Sequence, residues 1–214
     1  MSSLLKLIFK RRDNVFIFIF VSFFCIYAEG IKVDTLRSDS LLKTFNIKGK
    51  IVAGLSWHDK IGKHYVIISE YSQKELCETG FKSELYGIQY TQNDTGVVND
   101  WKIKDFGSNE CEQVNYIKNS LKIVDVENSG IGSSRFLYEF SHDCCDPVKV
   151  KYLLHVVNVK CAIRGQVPME SGSISQYQKN MDKLFESAPV NIKTFASEDW
   201  DDFVKSHFDI SQKK

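Results

Sequence analysis

Proline is nearly missing from this chain, with three residues in 214. Proline removes a ladder donor and is confined to strand edges and turns, so a chain this poor in it can run long, uninterrupted strands. One-sided charge is missing too: 28 Lys and Arg stand against 27 Asp and Glu, with no long run of either sign. That balance excludes the basic surface a nucleic-acid binder needs. No apolar stretch reaches the roughly 20 residues that span a bilayer as a helix. The chain has no Walker loop, no Rossmann glycine pattern and no G-x-S-x-G elbow, which removes the function classes those motifs carry. Its six cysteines never fall at the C-x2-C spacing of a zinc site.

What is present begins with the N-terminus. Lys6, Lys10, Arg11 and Arg12 precede the apolar stretch VFIFIFVSFFCIYA, Val15 to Ala28, and Glu29 follows it. This is the three-part plan of a secretory signal peptide, and it predicts a leader over residues 1–28 with cleavage near Ala28. The membrane then enters only through the leader, if it stays uncleaved. Removing the leader takes four basic side chains and Asp13 with it, leaving 24 Lys and Arg against 26 Asp and Glu, a net charge of −2. Five cysteines remain, in a compartment where thiols oxidise. Cys144 and Cys145 are neighbours that point to opposite faces of an extended chain, so at most one reaches a given partner. Cys111 pairs with Cys144 or Cys145 in this reading, because both segments flank one hairpin. A closed loop of about 33 residues would contribute roughly 3–4 kcal/mol in the chain-entropy model.

With 43% hydrophobic residues the rest can bury a full core. After a linker over 29–46, residues 47–168 break into β-branched and aromatic runs separated by turn clusters. KIVAGLSWH and KHYVIISEY flank Asp59 to Gly62, and LYGIQYTQ and VVNDWKIKDF flank Asn93 to Gly96. SLKIVDV and SSRFLYEF flank a glycine loop, and KVKYLLHVV and VKCAIRG flank Asn158. Four successive hairpins predict an antiparallel sheet, closed as a barrel or packed as a sandwich. Over 169–214 the period turns helical. Ser173 and Gln176 resemble a capping box ahead of Ile174, Tyr177, Met181, Leu184 and Phe185. A second helix is expected from Ser197, with Glu198, Asp199, Asp201 and Asp202 in its first turn, where the helix dipole favours acids. The fold class is therefore mainly β with C-terminal helices packing on the sheet, α+β.

Few segments carry chemistry. In VDVENSGIGSSRFLY, Asp125, Glu127, Ser129 and Ser133 fall at positions 1, 3, 5 and 9 of a calcium loop, with Gly130 at the sharp turn. Phe136 holds position 12, where the bidentate Glu belongs, so a structural turn is the reading preferred and calcium its alternative; no other cofactor is implied. His58 and His64 bracket the first hairpin turn and could face one another as a weak metal site or acid–base pair, or simply sit at a hairpin end. Trp57, Tyr65 and Trp101 are the aromatics that could stack on sugar, against core packing as the plain alternative. Asp59, Asp105 and Asp125 are carboxylates of the type a polysaccharide-cleaving enzyme uses.

The order GLSWHDKIGKHYVIISE, DWKIKDF, Cys111, SLKIVDVENSGIGSSRFLYEF, Cys144-Cys145-Asp146-Pro147 and KCAIRG, from about Gly54 to Gly165, resembles exported bacterial proteins labelled as surface polysaccharide biosynthesis proteins. Ser133 stands where that family's loop carries an acid. The resemblance implies a place in the periplasm or at the cell surface of a bacterium and a part in making or displaying envelope polysaccharide, with no catalytic residues to carry over. The expected protein is thus an exported, non-catalytic β-rich module whose partner is envelope polysaccharide or another envelope protein. A periplasmic polysaccharide-acting enzyme and a protein-binding or inhibitor module are the alternatives.

Overall fold

The computed structural model describes residues 31–36, 45, 47–74, 81–107, 112–141, 147–157, 159–168 and 177–208. Residues 1–28, read as a leader, Cys111, Cys144, Cys145 and the capping box expected at Ser173 and Gln176 lie outside the described residues. A first sheet carries β1 (Val33–Thr35), β2 (Lys50–His58), β3 (Lys63–Lys74), β4 (Phe81–Asn93) and β5 (Gly96–Phe106), in chain order and antiparallel. A second carries β6 (Gln113–Tyr116), β7 (Lys122–Val124), β8 (Ser133–Ser141), β9 (Val148–Val156), β10 (Val159–Val167) and β11 (Gln178–Met181). Its order is β11-β10-β9-β8-β6, with β7 also paired to β8. The sheets do not close into a barrel. Two helices follow, α1 (Lys183–Ser187) and α2 (Val190–Phe208); no described helix is long and apolar enough to cross a membrane.

All four expected hairpin pairings form. The turn chemistry explains the clearest of them: Asn93 Oδ1 accepts the Thr95 amide at 3.0 Å, an Asx turn that joins β4 to β5. Strand alternation then sorts side chains into two cores. On β8, Phe136, Tyr138 and Phe140 point to the first sheet and join Trp57, Val66 and Leu85 there. Leu137 points the other way, with Tyr152, Leu154 and Ile163, onto Phe185 and Trp200 of the helices. The second sheet is therefore the middle layer of three, apolar on both faces over most of its area. Arg135, on the helix-facing side of β8 and only 3% exposed, ties the layers together. Its Nη2 donates to Asp199 Oδ1 at 2.7 Å, its Nε lies 2.6 Å from Oδ2, and its Nη1 donates to the Ser120 carbonyl.

The C-terminal segment differs from expectation in both of its parts. Tyr177 to Met181, expected as helix, belongs to β11 and its approach, because the open edge of β10 offers backbone partners from Ile163 to Gln166 that override a weak helical period. The first helix starts instead at Asp182, whose carboxylate accepts the Phe185 amide at 2.8 Å. The second begins at Val190 rather than after Ser197. Ile192, Ala196, Trp200, Phe203 and Val204 form one continuous apolar stripe, so burial extends the helix backwards by two turns. The acids therefore sit in mid-helix and are held by side chains, Asp199 by Arg135 and Asp201 by Lys179 at 2.9 Å, rather than by the dipole.

Residues 29–46, read as a linker, contribute β1 along the edge of β2 and Phe45, which packs on the outer face of the first sheet against Tyr65 and Tyr90. On the same face Glu84, almost fully buried, is bound by Lys48, Tyr86 and Lys104. Burial alone would raise its pKa, but these partners outweigh it and hold it down to about 2.

Candidate functional site

The residues expected to carry chemistry are dispersed. Trp57 is 2% exposed between the sheets, stacked on His64 at 4.7 Å, and presents no face to a ligand. Trp101 also points inward, stacked on His155 at 4.2 Å with its indole N–H on Gln89. Both are core residues, for the common reason that a large ring at an inward strand position fills the gap between sheets. Tyr65 lies half-buried on the outer face beneath Phe45. His58 and His64 do not face each other: Trp57 pairs with His64 and His58 with Lys63, so the two imidazoles lie on opposite faces.

Asp59 is bonded on every side, to the Gly132 and Ile61 amides, the Trp57 indole and His64 Nε2. Burial pushes its pKa up, but the Gly132 amide and the other donors prevail and hold it below the usual carboxylate range. It is a structural knot, not an acid poised for catalysis. The glycine loop is a turn: Asp125 accepts the amides of Ser129 at 2.9 Å and Gly130 at 2.7 Å. Gly130, at φ +73°, supplies the left-handed residue the turn needs. Glu127 turns away to Asn191, Ser133 is buried on β8, and the cation at the loop is Lys60, whose Nζ donates to the Ser129 carbonyl at 2.6 Å. Among the described residues no group of three His, Cys, Asp or Glu is placed to hold a metal ion.

The site that does assemble lies where sequence reasoning named only Asp105. At the end of β5, beside the face of β9, β10 and β11 that points towards the first sheet, a cleft of about 360 Å³ opens. Its floor follows from register. Lys151 is opposite Arg164 and Arg164 opposite Asn180; one row along, Lys149 is opposite Gln166 and Gln166 opposite Gln178. These six share one face because they alternate with helix-facing Val150, Ile163 and Val167. On β8 the same two rows carry Tyr138 and Phe140, which the first sheet covers. From the walls, Asp105 accepts Lys151 and the Tyr138 hydroxyl, and Glu112 accepts Lys149 at 2.9 Å. Burial first, then the charge of Asp105, pushes the Tyr138 phenol up, so it stays a proton donor.

Two features set this cleft apart from an ordinary solvated face. Lys151 and Arg164 are like charges directly opposite one another, an arrangement that destabilises a strand pair. Asp105 compensates only the lysine; Arg164 has no ion-pair partner among the described residues. Phe106, at the rim, is 58% exposed. In the sequence, K-V-K, R-G-Q and Q-K-N are unremarkable alternations, and only their pairing makes a site of them. Gly165 lies beneath: a Cβ there would fall 2.5 Å from the Trp200 ring, so glycine lets the helix seat directly behind the cleft floor.

No family model matches the chain, and no curated protein or solved structure matches it. Its class is therefore stated from the fold alone: an antiparallel two-sheet sandwich backed by C-terminal helices, with a polar cleft where the second sheet extends past the edge of the first.

Proposed function

We propose that this is an exported protein of the bacterial cell envelope, a non-catalytic β-rich module linked to surface polysaccharide biosynthesis or display, and that it holds its partner in the β5–β11 cleft. The observation that carries the binding half is the polar floor of that cleft, with Arg164 unpaired among the described residues and in like-charge opposition to Lys151. The leader-like N-terminus supports export. So does the spacing of the cysteines: Cys111 adjoins Glu112, Cys144 and Cys145 fall between Ser141 and Pro147, and β6 pairs Gln113 with Ser141. Calcium has no part in this reading, since the Asp125 loop satisfies its own carboxylate. Cell fractionation with disulfide mapping and retention on immobilised envelope polysaccharide tests it. A processed chain outside the cytoplasm, with Cys111 joined to Cys144 or Cys145 and retained on the polysaccharide, is expected. A full-length, fully reduced chain in the cytosol overturns the export half, and no retention at millimolar sugar overturns the binding half.

A polysaccharide-cleaving enzyme is the second reading, because Asp105 and Glu112 flank the same cleft. Each is engaged by a lysine, which favours binding over proton transfer. Depolymerisation by the wild-type protein, abolished in Asp105→Asn, would install the enzyme reading in its place.

A further inference from the structure

Resting on the cleft as the binding site, we infer that its ligand is an acidic saccharide, bound with its carboxylate on Arg164 and a sugar face on Phe106. Charge argues first. Among the described lining residues Lys149, Lys151 and Arg164 outnumber Asp105 and Glu112, and the surplus cation is Arg164. Its guanidinium is a planar fork that matches a carboxylate bidentately. An anion arriving there also relieves the repulsion from Lys151 across the strand pair.

Shape and polarity argue next. Gln166 and Asn180 adjoin Arg164 on the same face, and their side chains make no hydrogen bond among the described residues. An amide offers a donor and an acceptor together, which suits a hydroxyl that does both. Phe106 supplies a flat apolar surface at the rim, and the cleft volume of about 360 Å³ lies at the small end of ligand sites. A cationic fork, free amides and one exposed ring within a small cleft fit a charged sugar better than a peptide, which would call for an apolar pocket, or a nucleic acid, which would call for a basic stripe.

Titration of the full exported protein with trigalacturonate and with the uncharged galactotriose of equal length tests the inference. Trigalacturonate is expected to bind roughly tenfold or more tighter than galactotriose, the order expected of one charge-assisted contact. Arg164→Gln should erase that difference, Arg164→Lys should restore only part of it, and Phe106→Ala should weaken both sugars together. Both positions are exposed, so the variants should fold as the parent does. Equal binding of the two sugars, or an Arg164→Gln protein that still prefers the acid, overturns the acidic ligand while leaving a saccharide site standing. If neither sugar shifts the amide signals of β10 in a heteronuclear spectrum, both the inference and the saccharide reading of the cleft fall.

Discussion

The inner face of the second sheet has two ends made by the same strands. At one, Phe136 on β8 and Leu153 and His155 on β9 lie under the first sheet; at the other, Lys149, Lys151 and Arg164 lie beside it. Two residues along β9, from Leu153 to Lys151, separate core from cleft. Strand alternation is identical at both ends, so the difference is one of cover: β5 reaches over the first end and stops at Phe106 beside the second. A polar group under cover must be satisfied or stay neutral, whereas one beyond the cover can remain charged and wait for a ligand. His155 illustrates the first case. Both its ring nitrogens are buried without a hydrogen-bond partner, and burial, aided by Lys160, pulls its pKa down to about 3.

The comparison can be broken at several points, the largest effect first. Trp200→Ala removes the fully buried ring seated behind Gly165 on β10, and urea unfolding should show a loss of about 3–5 kcal/mol. Arg135→Met strands Asp199 beside the helix-facing core and should cost about 3 kcal/mol in the same measurement, and Arg135→Met with Asp199→Leu should recover most of it.

Acid should act on the covered end. Since the folded-state pKa of His155 is below its ordinary 6.5, the unfolded chain binds the proton first, so stability is full above pH 6.5 and falls as pH drops towards about 3. The slope is about 1.4 kcal/mol per pH unit at most. Glu84, depressed from 4.5 to about 2, adds its loss only below pH 4.5. Between pH 6.5 and 4.5 the histidine's loss is opposed by Glu139, whose carboxyl pKa burial raises above 4.5 so that it favours the folded state as pH falls, and His155→Phe, which keeps a ring on Trp101, should remove the loss and leave the Glu139 gain in that window. At the uncovered end Arg164→Gln should stabilise the apo protein by roughly 0.2–1 kcal/mol by removing the repulsion from Lys151. A loss of stability there would mean that Arg164 holds the fold rather than a ligand.

Much of the fold was legible in the sequence because hairpins are local. Asp59–Gly62 and Asn93–Gly96 announce turns, and alternating β-branched and aromatic residues announce the strands beside them. The helix boundaries were less legible. Ser197 looks like a cap and the acids after it like a first turn, yet burial of Ile192 and Ala196 carries the helix past both. The site was the least legible. Trp57 and Trp101 have the right chemistry for sugar, but inward strand positions bury the first and pack the half-buried second against the core, while Lys149, Arg164 and Asn180 are commonplace residues until register places them side by side.

The sequence by itself determined the eight hairpin strands, their pairing and the leader-like N-terminus, because turn preference, side-chain period and apolar length are properties of neighbouring residues. Tertiary structure alone decided that the strands divide into two sheets, that β11 replaces a helix, and that the second sheet extends past the first to leave a charged cleft. Those outcomes depend on which surfaces find cover, and cover is supplied by residues far away in the chain.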